Sequence, residues 1–514
     1  QVIRFLKAAP RTHSAQIRAM KYVKALDVGS TPANLLTVEQ YVLSLLRWLQ
    51  FPWASARVAA VCRTWHTCTS RHGEFWARVI PTPEQVPALS VVLQRCGSRL
   101  RTLDLSAASS AAFDGDSLVG ALRACPGLEV LNLAGCADVP LEGEADLCTA
   151  LARSLRSLNV RGCRQLQRHL PKLVGPRLRV LEAGWQNEFN ATQEDPHEWS
   201  DALPRGLFAS IGRHSPSIES LRVPGYLLVG GYDDQDNISI KASYRSISEI
   251  GKLSQLRRLD LCCAMGLLDS AVMAVARDCR RLRSINLRCC QLLTDPALRA
   301  IAEHLQEELV HINISCCNFS DAAVQRLASS CRLLKTLDLC YCSKLGPAIL
   351  AFLLGDATLC PVLRMLGVGG LDFGDEEAAG VARKYRDTLE HLGIGASRRL
   401  TDAGLVLLAG LPRLRKLSAH RLESVSRRGL IELCERAPGL RHIDAEECAF
   451  ALPAPSEDQH RLSSCLEERT YSYDDSDSET DVEIELEPQD FIPQADGDGI
   501  RAIFVKFRKP KTRS

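Results

Sequence analysis

LRSINLRCCQLLTDPALRAIAEHLQEELVHINISCCNFSDAAVQRLASSCRLLKTLDLC, residues 282–340, carries one string three times: LRSINL from Leu282, LVHINI from Leu309 and LKTLDL from Leu334. Alternate side chains of a short strand face opposite sides, so the fourth and sixth residues of each string point inward and the fifth and seventh outward. Between the strings, 293–305 and 320–331 place apolar residues three and four apart, with Ser, Thr or Asp as the N-cap, and predict one helix each. A single strand and helix cannot bury their apolar faces alone, whereas stacked copies can.

Outward from this stretch the string recurs as LRTLDL from Leu100, LEVLNL from Leu128, LRSLNV from Leu155, LRVLEA from Leu178, IESLRV from Ile218 and LRRLDL from Leu256. It continues as LRMLGV from Leu363, LEHLGI from Leu389, LRKLSA from Leu414 and LRHIDA from Leu440, giving thirteen copies. Ten of the twelve intervals lie between 23 and 29 residues, and the other two are 40 and 38. A period of this length with this string resembles the cysteine-containing class of the leucine-rich repeat family. The fold class expected is α/β, a curved solenoid of about thirteen units with a parallel sheet on its concave side, preceded by a small all-α module.

Cysteine usage follows the same period. Of 21 cysteines, Cys136, Cys163, Cys290, Cys317, Cys342 and Cys448 occupy the ninth place of their copies, while Cys125, Cys279, Cys331 and Cys360 recur near the helix ends. A repeat-locked thiol is first a small core side chain. An odd total without a secretory leader favours reduced thiols and a cytoplasmic or nuclear location. Cys262, Cys263, Cys289, Cys316 and Cys340 fall at or beside outward positions and form a candidate redox-sensitive patch. Their spacing offers no zinc site, and no metal or other cofactor is expected.

Upstream, residues 31–80 read as a separate helical module containing four of the six tryptophans. Leu45, Leu46 and Leu49 mark one amphipathic helix, Val61, Cys62 and Trp65 a second after Pro52, and Phe75, Trp76 and Val79 a third. VCRTWHTC followed by EFWARV resembles the F-box, with Leu36–Thr37 where that family opens on Leu-Pro. The resemblance implies docking on a Skp-family adaptor and, through it, a cullin of a ubiquitin ligase. It places Leu45, Leu46, Leu49, Val61, Cys62, Trp65 and Trp76 at adaptor-binding or module-core positions. The same helices could instead serve as a cap on the solenoid end.

The concave face is then the expected receptor for a target protein, with Asp260, Asn286, Arg288, His311, Asn313, Asp338 and Tyr341 as outward candidates. The two long intervals insert 184–201 and 224–244, where Trp185, Trp199, Tyr226 and Tyr232 concentrate aromatic side chains in a chain that is only 5% aromatic. A formal charge of +2 supplies no bulk field for nucleic acid, and no apolar run reaches the length of a membrane span. Phosphate-loop, HEXXH and G-x-S-x-G motifs are absent, so a noncatalytic adaptor is the reading, with a repeat scaffold or inhibitor outside any ligase as the alternative.

The remaining assignments are a 1–30 extension, repeats over 81–450 and a 451–514 tail. The tail carries eleven acidic residues over 474–498 and six basic ones over 501–514. Alternation in 482–486 and 500–507 predicts a terminal hairpin. The chain opens on Gln1, which points to a trimmed or partial chain.

Overall fold

The computed structural model describes residues 76–184, 207–224 and 248–448, apart from short breaks, and 504–506. These fall into two compact units, Gln1–Leu178 and Arg179–Ser514, taken here one at a time.

In the first unit four strands pair in parallel and in chain order: β1 (Arg78–Val79), β2 (Thr102–Asp104), β3 (Val130–Asn132) and β4 (Ser157–Asn159). Helices α1 (Leu89–Cys96), α2 (Gly115–Arg123), α3 (Ala145–Ser154) and α4 (Leu170–Leu173) belong to the same unit. The second unit repeats the plan with β5 (Val180–Glu182), β6 (Ser220–Arg222), β7 (Arg258–Asp260), β8 (Ser284–Asn286) and β9 (His311–Asn313). It continues with β10 (Thr336–Asp338), β11 (Met365–Gly367), β12 (His391–Gly393), β13 (Lys416–Ser418) and β14 (His442–Asp444). Its helices are α5 (Leu207–His214), α6 (Asp269–Asp278), α7 (Asp295–His304), α8 (Asp321–Ser330), α9 (Ala348–Gly355), α10 (Asp375–Lys384), α11 (Asp402–Leu408) and α12 (Arg427–Arg436).

Each strand from β2 to β14 occupies the third to fifth places of one of the thirteen strings. The first, fourth and sixth places are buried throughout, as at Leu282, Ile285 and Leu287 in one copy and Leu334, Leu337 and Leu339 in another. Helices meet this layer through residues such as Leu298 and Ile301 of α7 or Val324 and Leu327 of α8. Fully burying one such side chain contributes about 1.5–3 kcal/mol. The core is therefore a continuous aliphatic stripe within each unit.

Polar ladders bind successive copies. The Oδ1 of the fifth residue accepts the backbone N–H two residues on, at 3.0–3.1 Å, in Asp104, Asn132, Asn159, Asp260, Asn286, Asn313 and Asp338. This Asx turn ends the strand, and the eighth residue takes the left-handed region, with φ of +77° at Gly135, +59° at Cys289 and +57° at Cys316. The ninth-place thiols then donate to the sixth-place carbonyl of the preceding copy: Cys163 to Leu133 at 2.8 Å, Cys290 to Leu261 at 3.2 Å, Cys317 to Leu287 at 3.0 Å and Cys342 to Ile314 at 3.1 Å. Burial pushes Cys163 up to about 12 and Cys342 up to about 11, so these thiols stay protonated donors.

One expectation requires correction. Val79 sits in β1, whose partner is β2, so the third helix does not extend to it and the repeat sheet begins before residue 81. Trp76, expected at an adaptor-binding or module-core position, is buried at 7% exposure. In the tail, β15 (Phe504–Lys506) pairs in parallel with β14, His442 opposite Phe504. Residues 482–486, the other half of the expected hairpin, lie outside the described residues, as do Leu45, Leu46, Leu49, Val61, Cys62 and Trp65.

Candidate partner-binding face

In the second unit the outward places of neighbouring strands lie one strand spacing apart, about 4.8 Å. The third places of β7 to β14 carry Arg258, Ser284, His311, Thr336, Met365, His391, Lys416 and His442. Cationic and imidazole side chains thus dominate this row. Beside it, at the strands' N-terminal ends, an open groove of about 510 Å³ is lined by Arg283, Lys335, Arg364 and Arg413 together with the exposed apolar side chains of Leu333 and Val362. Glu307 and Glu308 also line it.

The seven described strand-face candidates separate by what holds them. Asp260 is 3% exposed: its carboxylate accepts the Cys262 N–H and receives Arg222 Nε at 3.3 Å, while Arg222 also lies 3.7 Å from Glu182. Those three fifth-place residues form an acid–base–acid chain across β5, β6 and β7, which corrects Asp260 from a surface contact to a packing group. Asn286, Asn313 and Asp338 spend one oxygen on the turn but remain half-buried on the face. In the two asparagines the amide Nδ2 is the group offered to a partner.

His311 Nδ1 lies 2.8 Å from Thr336 Oγ1. Burial, and then the charges of Lys335, Arg258 and Arg364, pull its pKa down to about 4, so the ring is neutral at pH 7. His391 is lowered for the same reasons, with burial first and Lys416 next. Neutral imidazoles can both donate and accept, which suits recognition of mixed polar surface.

Tyr341 is the most exposed of the candidates, and its hydroxyl sits 2.6 Å from His420 Nε2, three copies further along. The rings stack with centroids 6.2 Å apart. This clasp depends on glycine beneath it: a Cβ at Gly370 would meet the Tyr341 ring at 2.6 Å, and one at Gly395 the His420 ring at 2.3 Å. His420 Nδ1 is in turn 3.2 Å from Ser418 Oγ, which reaches Asp444 Oδ2 at 3.4 Å. The sequence reading missed His420 as a partner of Tyr341, although LGVGG (366–370) and LGIGA (392–396) signalled a strip of face without side chains.

A family model described as "Leucine Rich repeat" matches residues 278–302, within the stretch of β8 and α7. Each unit has the leucine-rich repeat fold. No curated protein sequence matches it. Among solved structures, a chain of the yeast Rad7 and Elc1 complex is similar at 13% identity, with a TM-score of 0.44, covering 83% of this chain and 96% of that one. Among the described residues of this leucine-rich repeat chain, no group of three or more His, Cys, Asp or Glu is placed to hold a metal ion. No described helix is long and apolar enough to cross a membrane. Trp185, Trp199, Tyr226 and Tyr232 lie outside the described residues.

Proposed function

We propose that the chain is a noncatalytic receptor that holds a target protein on the outward face of its second unit and delivers it to a Skp–cullin ubiquitin ligase through the F-box-like segment 31–80. The observation that carries the target-holding half is the aligned row of Arg258, His311, His391, Lys416 and His442 across neighbouring strands, with the groove of Leu333 and Val362 beside it. A rigid row of cations and neutral imidazoles next to apolar patches suits a folded partner with acidic side chains around an aliphatic centre. The ligase half rests on the resemblance of VCRTWHTC and EFWARV to the F-box.

Mixing the full chain with a purified Skp-family adaptor and following co-elution tests the ligase half. Wild type is expected to form a stoichiometric complex, and Trp65→Ala to lose it at unchanged melting temperature. Absence of a complex with wild type would leave a repeat scaffold and overturn the ligase assignment. The target-holding half is tested separately by cross-linking mass spectrometry in cells: links should concentrate at Lys416 and Lys335, and those at Lys335 should fall in a Lys416→Glu, Arg258→Glu double variant.

A further inference from the structure

Three consecutive copies place cysteine at the eighth position, where other copies have Gly135, Gly162, Tyr341, Gly370, Ala396 or Arg421. Cys263, Cys289 and Cys316 accept φ values of +57°, +59° and +57°, a conformation that disfavours any side chain. Their backbone N–H groups donate to the seventh-place carbonyls of the next copies, from Cys263 to Arg288 at 2.7 Å, Cys289 to Ser315 at 2.9 Å and Cys316 to Cys340 at 2.8 Å. The three Cα atoms thus continue the sheet at about its 4.8 Å spacing, inside the 4.4–6.8 Å range that a disulfide spans.

All three are partly exposed, whereas Cys290 and Cys317, one residue further on, are buried. Cys262 Sγ lies 3.5 Å from Cys263 Sγ, and Cys289 and Cys316 follow Cys263 at the same place of the next two copies, so that Cys289 alone has a thiol of this row on either side. Arg288, the residue before Cys289, adds a cationic charge that lowers the Cys289 thiol pKa. We propose that this row is a covalent-modification site for small hydroperoxides, with Cys289 the nucleophile and Cys263 or Cys316 the resolving thiol. The site is independent of the ligase reading.

Hydrogen bonds from Cys263 and then Cys316 hold the Cys289 thiol below the usual range against burial, with the Arg288 charge adding to them. The same bonds raise Cys263 and Cys316, so the neighbours keep their protons. Cys289 sulfur attacks one peroxide oxygen. The S–O bond forms, the O–O bond breaks, and hydroxide leaves, or an alkoxide from an organic hydroperoxide. The neighbouring sulfur then attacks the sulfenic sulfur; the S–S bond forms, the S–O bond breaks, and the resolving thiol's proton leaves with the hydroxyl as water. Two thiol sulfurs lose two electrons in all, and hydrogen peroxide becomes water and hydroxide. Either product staples two adjacent copies, and a Cys289–Cys316 bond lies in the copies next to Tyr341.

The reduced full chain is labelled briefly with iodoacetamide at pH 6, where ordinary thiols are protonated, and mapped by mass spectrometry. Cys289 is expected to label about tenfold faster than any other cysteine in 76–448. One equivalent of hydrogen peroxide, mapped without reductant, should give Cys263–Cys289 or Cys289–Cys316 links. Cys316→Ala should shift the product wholly to Cys263–Cys289. Even labelling, preferential labelling elsewhere, or three free thiols after peroxide would each overturn the proposal. The wild-type maps decide this even if a variant fails to fold.

Discussion

Cys317 shows why so many cysteines serve one repeat protein. The sixth-place carbonyl of Leu287 accepts the Cys290 N–H of its own turn at 3.1 Å, and the Cys317 thiol reaches it at 3.0 Å from the next copy. Serine would offer a stronger donor but would bury a more polar group, while alanine would leave the carbonyl without that donor. Cys317→Ala is expected to lower unfolding stability by about 1 kcal/mol in urea titration. Cys317 itself should stay unreactive to iodoacetamide in the folded chain, since burial raises its thiol pKa. His311 gives a residue-scale prediction in pH. Its pKa falls from an ordinary 6.5 to about 4 in the fold, so between these values the unfolded chain binds a proton that the folded chain refuses. Stability from this group is complete above pH 6.5, declines as pH falls toward 4, and is roughly 3 kcal/mol lower beyond that. Urea titrations at pH 7, 5.5 and 4 should show a shallower acid decline in His311→Gln than in wild type.

At the scale of the element, each helix start is tied to the copy before it. Asp295, first residue of α7, accepts the Ser320 N–H at 2.9 Å and its hydroxyl at 2.6 Å, and Asp375 of α10 does the same for Thr401 at 2.9 and 2.6 Å. Asp269 takes both groups of Thr294 in the same way. Against burial, the Ser320 bonds hold the Asp295 carboxyl below the usual carboxylate range. Asp295→Ala should cost about 1–3 kcal/mol by thermal or urea unfolding, because two donors of the next copy lose their acceptor. The N-cap residues were legible in the sequence, as Thr294, Ser320, Thr401 and Ser426 show, but the destination of the hydroxyl was not. Thr294 and Ser320 make no cap bond to their own helices, whereas Thr401 and Ser426 give their protons to Asp375 and Asp402 and still accept the N–H groups of Ala403 and Gly429. The inward places were legible in L-x-x-L-x-L, since burial of the first, fourth and sixth places fixes the register locally. Val79 was misread as helical for the complementary reason: a short apolar run has no decisive period, and its strand state depends on β2, more than twenty residues away.

For the whole molecule, nearest-neighbour stacking means that damage should remain near its origin within a unit. Asp260 is the sharpest place to test this, because the sequence presented it as one more outward acid while the fold buries it against Arg222. Only the sequence of β6 foretells this role: LRV supplies Arg222 at a fifth place that carries Asn or Asp in eight other copies, and that cation requires acids on both flanking strands, Glu182 and Asp260. Asp260→Ala removes one of the two acids and also frees the Cys262 N–H, and should destabilise the second unit by on the order of 3 kcal/mol. Hydrogen exchange locates the effect. Amides of β6, β7 and β8 should lose protection together, while those of β2 and β3 in the first unit keep theirs. Equal loss across both units would mean that they unfold as one cooperative block, and unchanged exchange would mean that the Arg222 chain contributes no stability.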